Sequence, residues 1–115
     1  MIRNIVGVSK DTSVSTAIDL FDNMHVSLLP VIDNRVLVGI LYRDRVSREF
    51  YKLKVDKIMD LPVFIDENTE IEIAAKKMFD MKVTRLPVVD NEYDRICVGL
   101  VTSTELAHYV RGVLT

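Results

Sequence analysis

The chain has 115 residues, 49% of them hydrophobic and 28% charged, which is enough for one core and too little for two independent domains of ordinary size. A formal net charge of -2 excludes the basic field that drives binding to phosphate backbones, so nucleic acid is not an expected partner. Cys97 is the single cysteine and His25 and His108 are the only histidines, which excludes an intrachain disulfide and a cysteine-based metal cluster and argues against zinc.

No apolar run approaches the roughly 18 to 20 residues that span a bilayer, and Met1 to Asn4 does not open a signal-peptide pattern. A cytoplasmic protein without a membrane segment is therefore expected.

In chain order, Ile5 to Ser9 is a short apolar segment and reads as a strand. Val14, Ala17, Ile18, Phe21 and Met24 follow at helical spacing. Leu29 to Ile32 and Val36 to Tyr42 are aliphatic runs separated by Asp33-Asn34, the pattern of a hairpin. A helix is expected over Asp44 to Leu53. Lys52 to Asp56 is the only linker, too short and too poor in Gly and Ser to let its flanks swing apart. The order then recurs, with a strand at Val63 to Ile65 and a helix carrying Ile71, Ala74, Ala75, Met78 and Met81, opened by a capping box of Thr69 and Glu72. A hairpin of Leu86 to Val89 and Ile96 to Thr102 and a last helix over Ser103 to Val113 complete it.

This recurrence is written in the residues. Leu29-Pro30-Val31-Ile32-Asp33-Asn34 returns as Leu86-Pro87-Val88-Val89-Asp90-Asn91, 57 positions later. At the same shift Val6 meets Val63, Thr12 meets Thr69, Ala17 meets Ala74 and Met24 meets Met81. Beyond the Asp-Asn turn the shift becomes 60, so that Gly39 meets Gly99. A length change confined to a polar turn, with register intact on both sides, is what a duplicated unit tolerates. Two β-α-β-β-α units, 1–54 and 55–115, packed with pseudo-two-fold symmetry into one α/β (α+β) module are the expected architecture.

Val55-Asp56-Lys57-Ile58-Met59, Leu-Pro-Val-Val-Asp at 86 to 90 and Val98-Gly99-Leu100-Val101-Thr102, with the weaker copy in the first unit, resemble the cystathionine-β-synthase (CBS) domain, which occurs as tandem pairs. The first unit lacks the Val-x-x-Ile-Met lead-in. The resemblance covers nearly the whole chain. It implies a pair that dimerises through its helices and binds adenosine-containing ligands such as AMP, ADP, ATP or S-adenosylmethionine in clefts between repeats. It further implies a regulatory sensor serving an enzyme or transporter, not a catalyst, with no cofactor required.

Carried over position by position, the resemblance places Thr102 and Glu105 at the ribose, with Glu105 standing where the family has Asp. It places Arg85 at phosphate, Leu100 against the base, and Thr12, Val26, Ser27 and Leu28 of the first unit around adenine and phosphate. A guanidinium is suited to phosphate because it offers a fork of charged donors. The opposite cleft would use Tyr42, Arg45, Thr69, Val83 and Thr84. There Tyr42 and Arg45 replace the hydroxyl and carboxylate pair, so this cleft is expected to be the weaker, either empty or specialised for another group.

Each residue also has a plainer reading. Thr102 to Glu105 is a capping box for the last helix, and Arg85 could be a strand-end charge whose surface ion pair contributes about 0 to 1 kcal/mol. Arg43-Asp44-Arg45 reads first as a solvated helix start. Cys97 reads as a small buried residue, and His25 and His108 as surface residues. The apolar spread of Ala74, Ala75, Met78, Phe79 and Met81 exceeds one core-facing stripe and favours a helix-mediated homodimer. Two function classes remain: a ligand sensor, and a structural dimerisation module with decayed clefts. No nucleophile-base-orienter set, Gly-rich phosphate loop or metal-ligand cluster supports an enzyme.

Overall fold

The computed structural model describes residues 7–107. Two three-stranded sheets carry the fold. β1 (Val8–Ser9), β2 (Leu28–Asp33) and β3 (Val36–Tyr42) form the first, and β4 (Ile65–Asp66), β5 (Arg85–Val89) and β6 (Cys97–Thr102) the second. In each, the short first strand runs parallel to the second, which pairs antiparallel with the third. The parallel crossover is an 11-residue helix, α1 (Val14–Met24) in the first unit and α2 (Ile71–Met81) in the second.

The duplication holds down to irregularities. Register slips between Val31 and Ile32 and again between Val88 and Val89, its equivalent 57 positions on. Both helices end on a left-handed residue, His25 at φ 55° and Lys82 at φ 58°, the conformation that lets the C-cap N–H reach back to the last turn.

The units meet on a pseudo-two-fold axis. Arg35 and Arg95 both adopt positive φ at their hairpin turns, and their carbonyls point across the seam. Leu37 N–H donates to Arg95 O at 2.8 Å and Cys97 N–H to Arg35 O at 2.9 Å. Near the other end of the same strands, the hydroxyls of Ser27 and Thr84 lie 3.2 Å apart. Apolar packing follows this pairing. Leu29, Val31 and Leu41 pack on α1 with Val14, Ala17 and Phe21, whereas Leu28, Leu37 and Ile40 belong to the core of the second unit. All three are 1% exposed or less, and truncating such a side chain costs about 2 to 5 kcal/mol.

Several expected elements differ. Residues 5–6 of the first strand lie outside the described residues, and what remains is Val8–Ser9. The strand expected at Val63 to Ile65 forms at Ile65–Asp66.

No α-helix spans Asp44 to Leu53. The segment holds a three-residue 3₁₀ turn, Arg48–Phe50, capped by Ser47. Its carbonyls are used elsewhere: Val14 N–H donates to Leu53 O at 2.8 Å and Ser15 N–H to Tyr51 O at 3.2 Å, so the chain satisfies the open donors of α1 rather than its own turns.

The Thr69–Glu72 capping box is also absent. Glu70 is the N-cap and makes no side-chain cap bond, which places Glu72 one position short of the reciprocal geometry. Thr69 Oγ1 instead accepts from Asp66 N–H at 3.1 Å. The last helix, α3, is helical over 103–107, and its expected remainder lies outside the described residues.

The second unit's lead-in is tied to the first unit's sheet. Ile40 and Asp60 exchange two backbone bonds at 3.0 and 2.9 Å, and Met59 covers Gly39 so closely that a Cβ there would come within 2.5 Å of its Sδ and 3.0 Å of Asp60 O. Gly39→Val is expected to destabilise the protein by about 1 to 3 kcal/mol, since the backbone contact cannot yield. The check is a lower urea midpoint with an unchanged m value, and an unchanged midpoint would show that the lead-in does not seat on Gly39.

Candidate functional site

By the repeat, two equivalent cleft positions flank the axis, each between the end of one unit's third strand and the helix-to-strand turn of the other, and the first of them opens into a cavity. Each cleft has a backbone bond beside it: Arg43 N–H donates to Ser27 O at 3.0 Å, and Ser103 N–H donates to Thr84 O at 2.8 Å. These are equivalent positions in the two units.

The first cleft contains a cavity of about 740 Å³ lined by Ser27, Tyr42, Arg43, Asp44 and Arg45 of the first unit and Met81, Lys82 and Val83 of the second. A volume of that order accommodates a nucleotide-sized molecule. Arg45 has its guanidinium 4.8 Å from the centre of the Tyr42 ring and its Nη1 3.0 Å from Asp60 Oδ1. The Tyr42 hydroxyl is held above its ordinary pKa, chiefly by burial and then by Asp60, with Arg45 opposing. Arg43 turns towards α1, donating to Phe21 O at 3.1 Å and pairing with Asp22 at 3.7 Å. The Lys82 ammonium has no partner among the described residues, and the left-handed turn that ends α2 presents it at the cavity. The lining of this cleft thus combines apolar Met81 and Val83 with Arg45, Lys82 and the carboxylate of Asp44.

In the second cleft, Thr102 and Glu105 bond each other reciprocally. Thr102 N–H donates to Glu105 Oε1 at 3.2 Å, Glu105 N–H donates to Thr102 Oγ1 at 3.2 Å, and the hydroxyl lies 3.4 Å from the same carboxylate. The capping-box reading is therefore present in the structure. Arg85 is the cross-strand partner of Thr102 and stands where the first unit has buried Leu28. Its Nε is buried with no partner among the described residues. A buried donor left without an acceptor costs about 1 to 3 kcal/mol, which an anion in the seam would relieve.

Of the residues assigned from sequence, Ser27, Thr84, Arg85, Thr102 and Glu105 form one continuous neighbourhood around the axis through these bonds and pairings. Val26, Leu28, Val83 and Leu100 are buried, and of the four Val83 lines the cavity while Leu28 packs into the second unit's core. Ser27, assigned to the second cleft, sits on the axis and lines the first cavity.

Thr12 and Thr69 lie elsewhere, in the β-to-α turns. Thr12 bonds Ser9, and its carbonyl accepts from Val55 N–H. Thr69 lines a separate cavity with Glu105 and is not among the residues around Tyr42 and Arg45.

Sequence reasoning passed over Met81, Lys82, Asp60 and the cavity role of Arg43 and Asp44. Their signal was present, since Met81-Lys82 directly precede Val83 and Asp60 directly follows the lead-in. His25 is exposed and Cys97 half-buried, its thiol pushed up by burial and partly offset by a bond to Gly99 O. Among the described residues no group of His, Cys, Asp and Glu is placed to hold a metal ion, and no helix is long and apolar enough to cross a membrane.

Comparison with known proteins places this geometry. An inosine-5'-monophosphate dehydrogenase of Methanocaldococcus jannaschii is 36% identical over 109 residues, covering 92% of this chain and 22% of the relative, so the chain spans about a fifth of that protein. CBSX2 from Arabidopsis thaliana superposes with a TM-score of 0.83 at 25% identity, over 99% of this chain and 92% of that one. A structure of CBSX2 in complex with AMP gives 0.80 at 27% identity, over 97% and 91%. The family model of the CBS domain matches residues 1–52 and again 55–112. With two sheets of one topology, a cavity where the two units meet and the family's pattern in both halves, the chain belongs to the CBS domain family and carries a tandem pair of its repeats.

Proposed function

We propose that the module is a regulatory sensor that binds an adenosine-containing ligand in the clefts between its repeats and acts on an enzyme or transporter, attached or separate. The observation that carries the reading is the 740 Å³ cavity at the axis, with apolar walls from one unit and Arg43, Arg45 and Lys82 around its mouth. A flat apolar base needs the walls and a phosphate needs the cations. The resemblance to CBSX2, solved with AMP, supports the same ligand class. The unpartnered Arg85 Nε supports a second anion position in the Thr102 cleft. The sequence ranked that cleft first, whereas the 740 Å³ cavity lies in the Tyr42 cleft. A ligand that bridges both units favours one relative angle of the repeats, and this differential affinity is what couples binding to shape.

AMP, ADP, ATP and S-adenosylmethionine should be compared by thermal shift. A ligand at 100 times its dissociation constant adds about 2.7 kcal/mol, an upward shift in Tm on the order of 10 °C for a domain of this size. No shift with any of the four at millimolar concentration removes the sensor reading.

Variants then assign the cleft. If the ligand sits at Tyr42, Arg45→Ala and Lys82→Ala weaken binding about tenfold or more and Arg85→Ala leaves it intact. If it sits at Thr102, the pattern reverses. Each lost charge-assisted bond corresponds to about 1.5 to 3 kcal/mol.

The module is also proposed to form a homodimer through the second unit's helices, a reading supported by Phe79, 83% exposed beside an apolar groove that includes Met78 and Leu106. The equivalent of Phe79 in the first unit is Asp22, paired to Arg43 and Arg48, so at this helix position only the second unit is apolar. Phe79→Asp should yield monomers in sedimentation while Asp22→Ala leaves the assembly unchanged. Dimers that survive Phe79→Asp place the interface elsewhere.

A further inference from the structure

Three cations line the cavity at Tyr42, and two of them are engaged elsewhere. Arg43 donates to Phe21 O at 3.1 Å and pairs with Asp22 at 3.7 Å. Arg45 holds Asp60 at 3.0 Å and lies over the Tyr42 ring, so Asp60 offsets its charge and leaves its other N–H donors open. Lys82 comes from the second unit and has neither a hydrogen bond nor an ion pair among the described residues.

A carboxylate lines the same cavity. Asp44, from the first unit, is exposed and likewise makes no hydrogen bond or ion pair among the described residues. Its field reaches the cavity wall: the Tyr42 hydroxyl is held up by burial first and then by Asp60, with Arg45 opposing and Asp44 adding to the rise. The uncommitted charges are therefore one ammonium and one carboxylate, one from each unit. Across the axis the equivalent positions are Thr104 and His25, so the other cleft has no carboxylate at this point.

A pocket with several free cations binds adenine nucleotides more tightly as phosphates are added, because each phosphate brings more charge into the same field. Here one phosphate meets Lys82 and the open donors of Arg45. A second or third must draw Arg45 from Asp60 or lie in the field of Asp44. On the nucleotide-sensor reading of this cavity, we infer that Asp44 is its specificity-determining residue and selects an adenine nucleotide carrying one phosphate over one carrying three. Asn is the informative replacement at this position, since it keeps the side chain's size and one hydrogen-bonding oxygen while removing the charge.

AMP, ADP and ATP should be titrated into the full chain by calorimetry, without divalent cations, so that phosphate charge is not masked. Affinity is expected to fall in the order AMP, ADP, ATP. Asp44→Asn should leave the Tm of the ligand-free protein unchanged and raise the affinity for ATP relative to AMP about threefold or more, the scale of one like-charge contact removed at an exposed site. Asp60→Asn, which releases the charge of Arg45, should move the same ratio in the same direction. Lys82→Ala should weaken AMP about tenfold. ATP preferred by the unaltered chain, a ratio indifferent to Asp44→Asn, or AMP affinity untouched by Lys82→Ala overturns the role of Asp44 while the sensor reading stands. Absence of binding by all three nucleotides overturns it as well, and if S-adenosylmethionine is also inert the sensor reading goes with it.

Discussion

The two backbone bonds between Arg35, Leu37, Arg95 and Cys97 hold the rest of the structure in place. Each links the start of one unit's third strand to the turn before the other's, and together they fix the two hairpins antiparallel across the axis. Once that register is set, Leu28, Leu37 and Ile40 have no place to go except the second unit's core, and the opposite ends of the same strands become the walls of the clefts. Neither unit buries all of its apolar sheet surface alone. The module is therefore one cooperative body, because the first unit's Leu28, Leu37 and Ile40 complete the second unit's core.

Departures from symmetry carry as much information as the symmetry. Thr102 and Glu105 cap each other and the chain continues as a helix. Tyr42 and Arg45 occupy the same positions in the first unit and cannot form that reciprocal cap, so Arg45 turns to Asp60 and the Tyr42 ring instead. Loss of the cap removes one support for a helix over 44–53, and the released carbonyls of Tyr51 and Leu53 are taken up by the start of α1. The residue change that sets the clefts apart thus goes with a change in secondary structure.

Much of this was legible in the residues. The helices at Val14–Met24 and Ile71–Met81 follow from apolar spacing, and the hairpins from aliphatic runs broken at a polar turn, because local periodicity and burial agree there. The helix over Asp44 to Leu53 was misread since Val46, Phe50 and Leu53 mimic helical spacing, while the competing demand, open donors on a distant helix, leaves no local trace. Thr69 was misread as a cap because a one-residue shift of the helix start breaks the reciprocal geometry without altering the motif. At the axis, Arg85, Thr102, Ser27 and Thr84 were assigned through the family resemblance, and the structure brings them together. Lys82 and Asp60 were not, because their placement comes from a left-handed turn and from a strand pairing across units.

Duplication also makes the molecule its own control. Where the two halves differ at equivalent positions, the difference cannot be charged to the fold, which is common to both. It must come from what each half meets. The first half meets the lead-in of the second, where Asp56 N–H donates to Lys10 O and the Lys10 ammonium pairs with Asp33; the second carries Glu67 at the position of Lys10. The same comparison separates Phe79 from Asp22, and Arg85 from Leu28. In each pair one copy is satisfied within the chain, while the other exposes an apolar surface or leaves a polar atom without a partner.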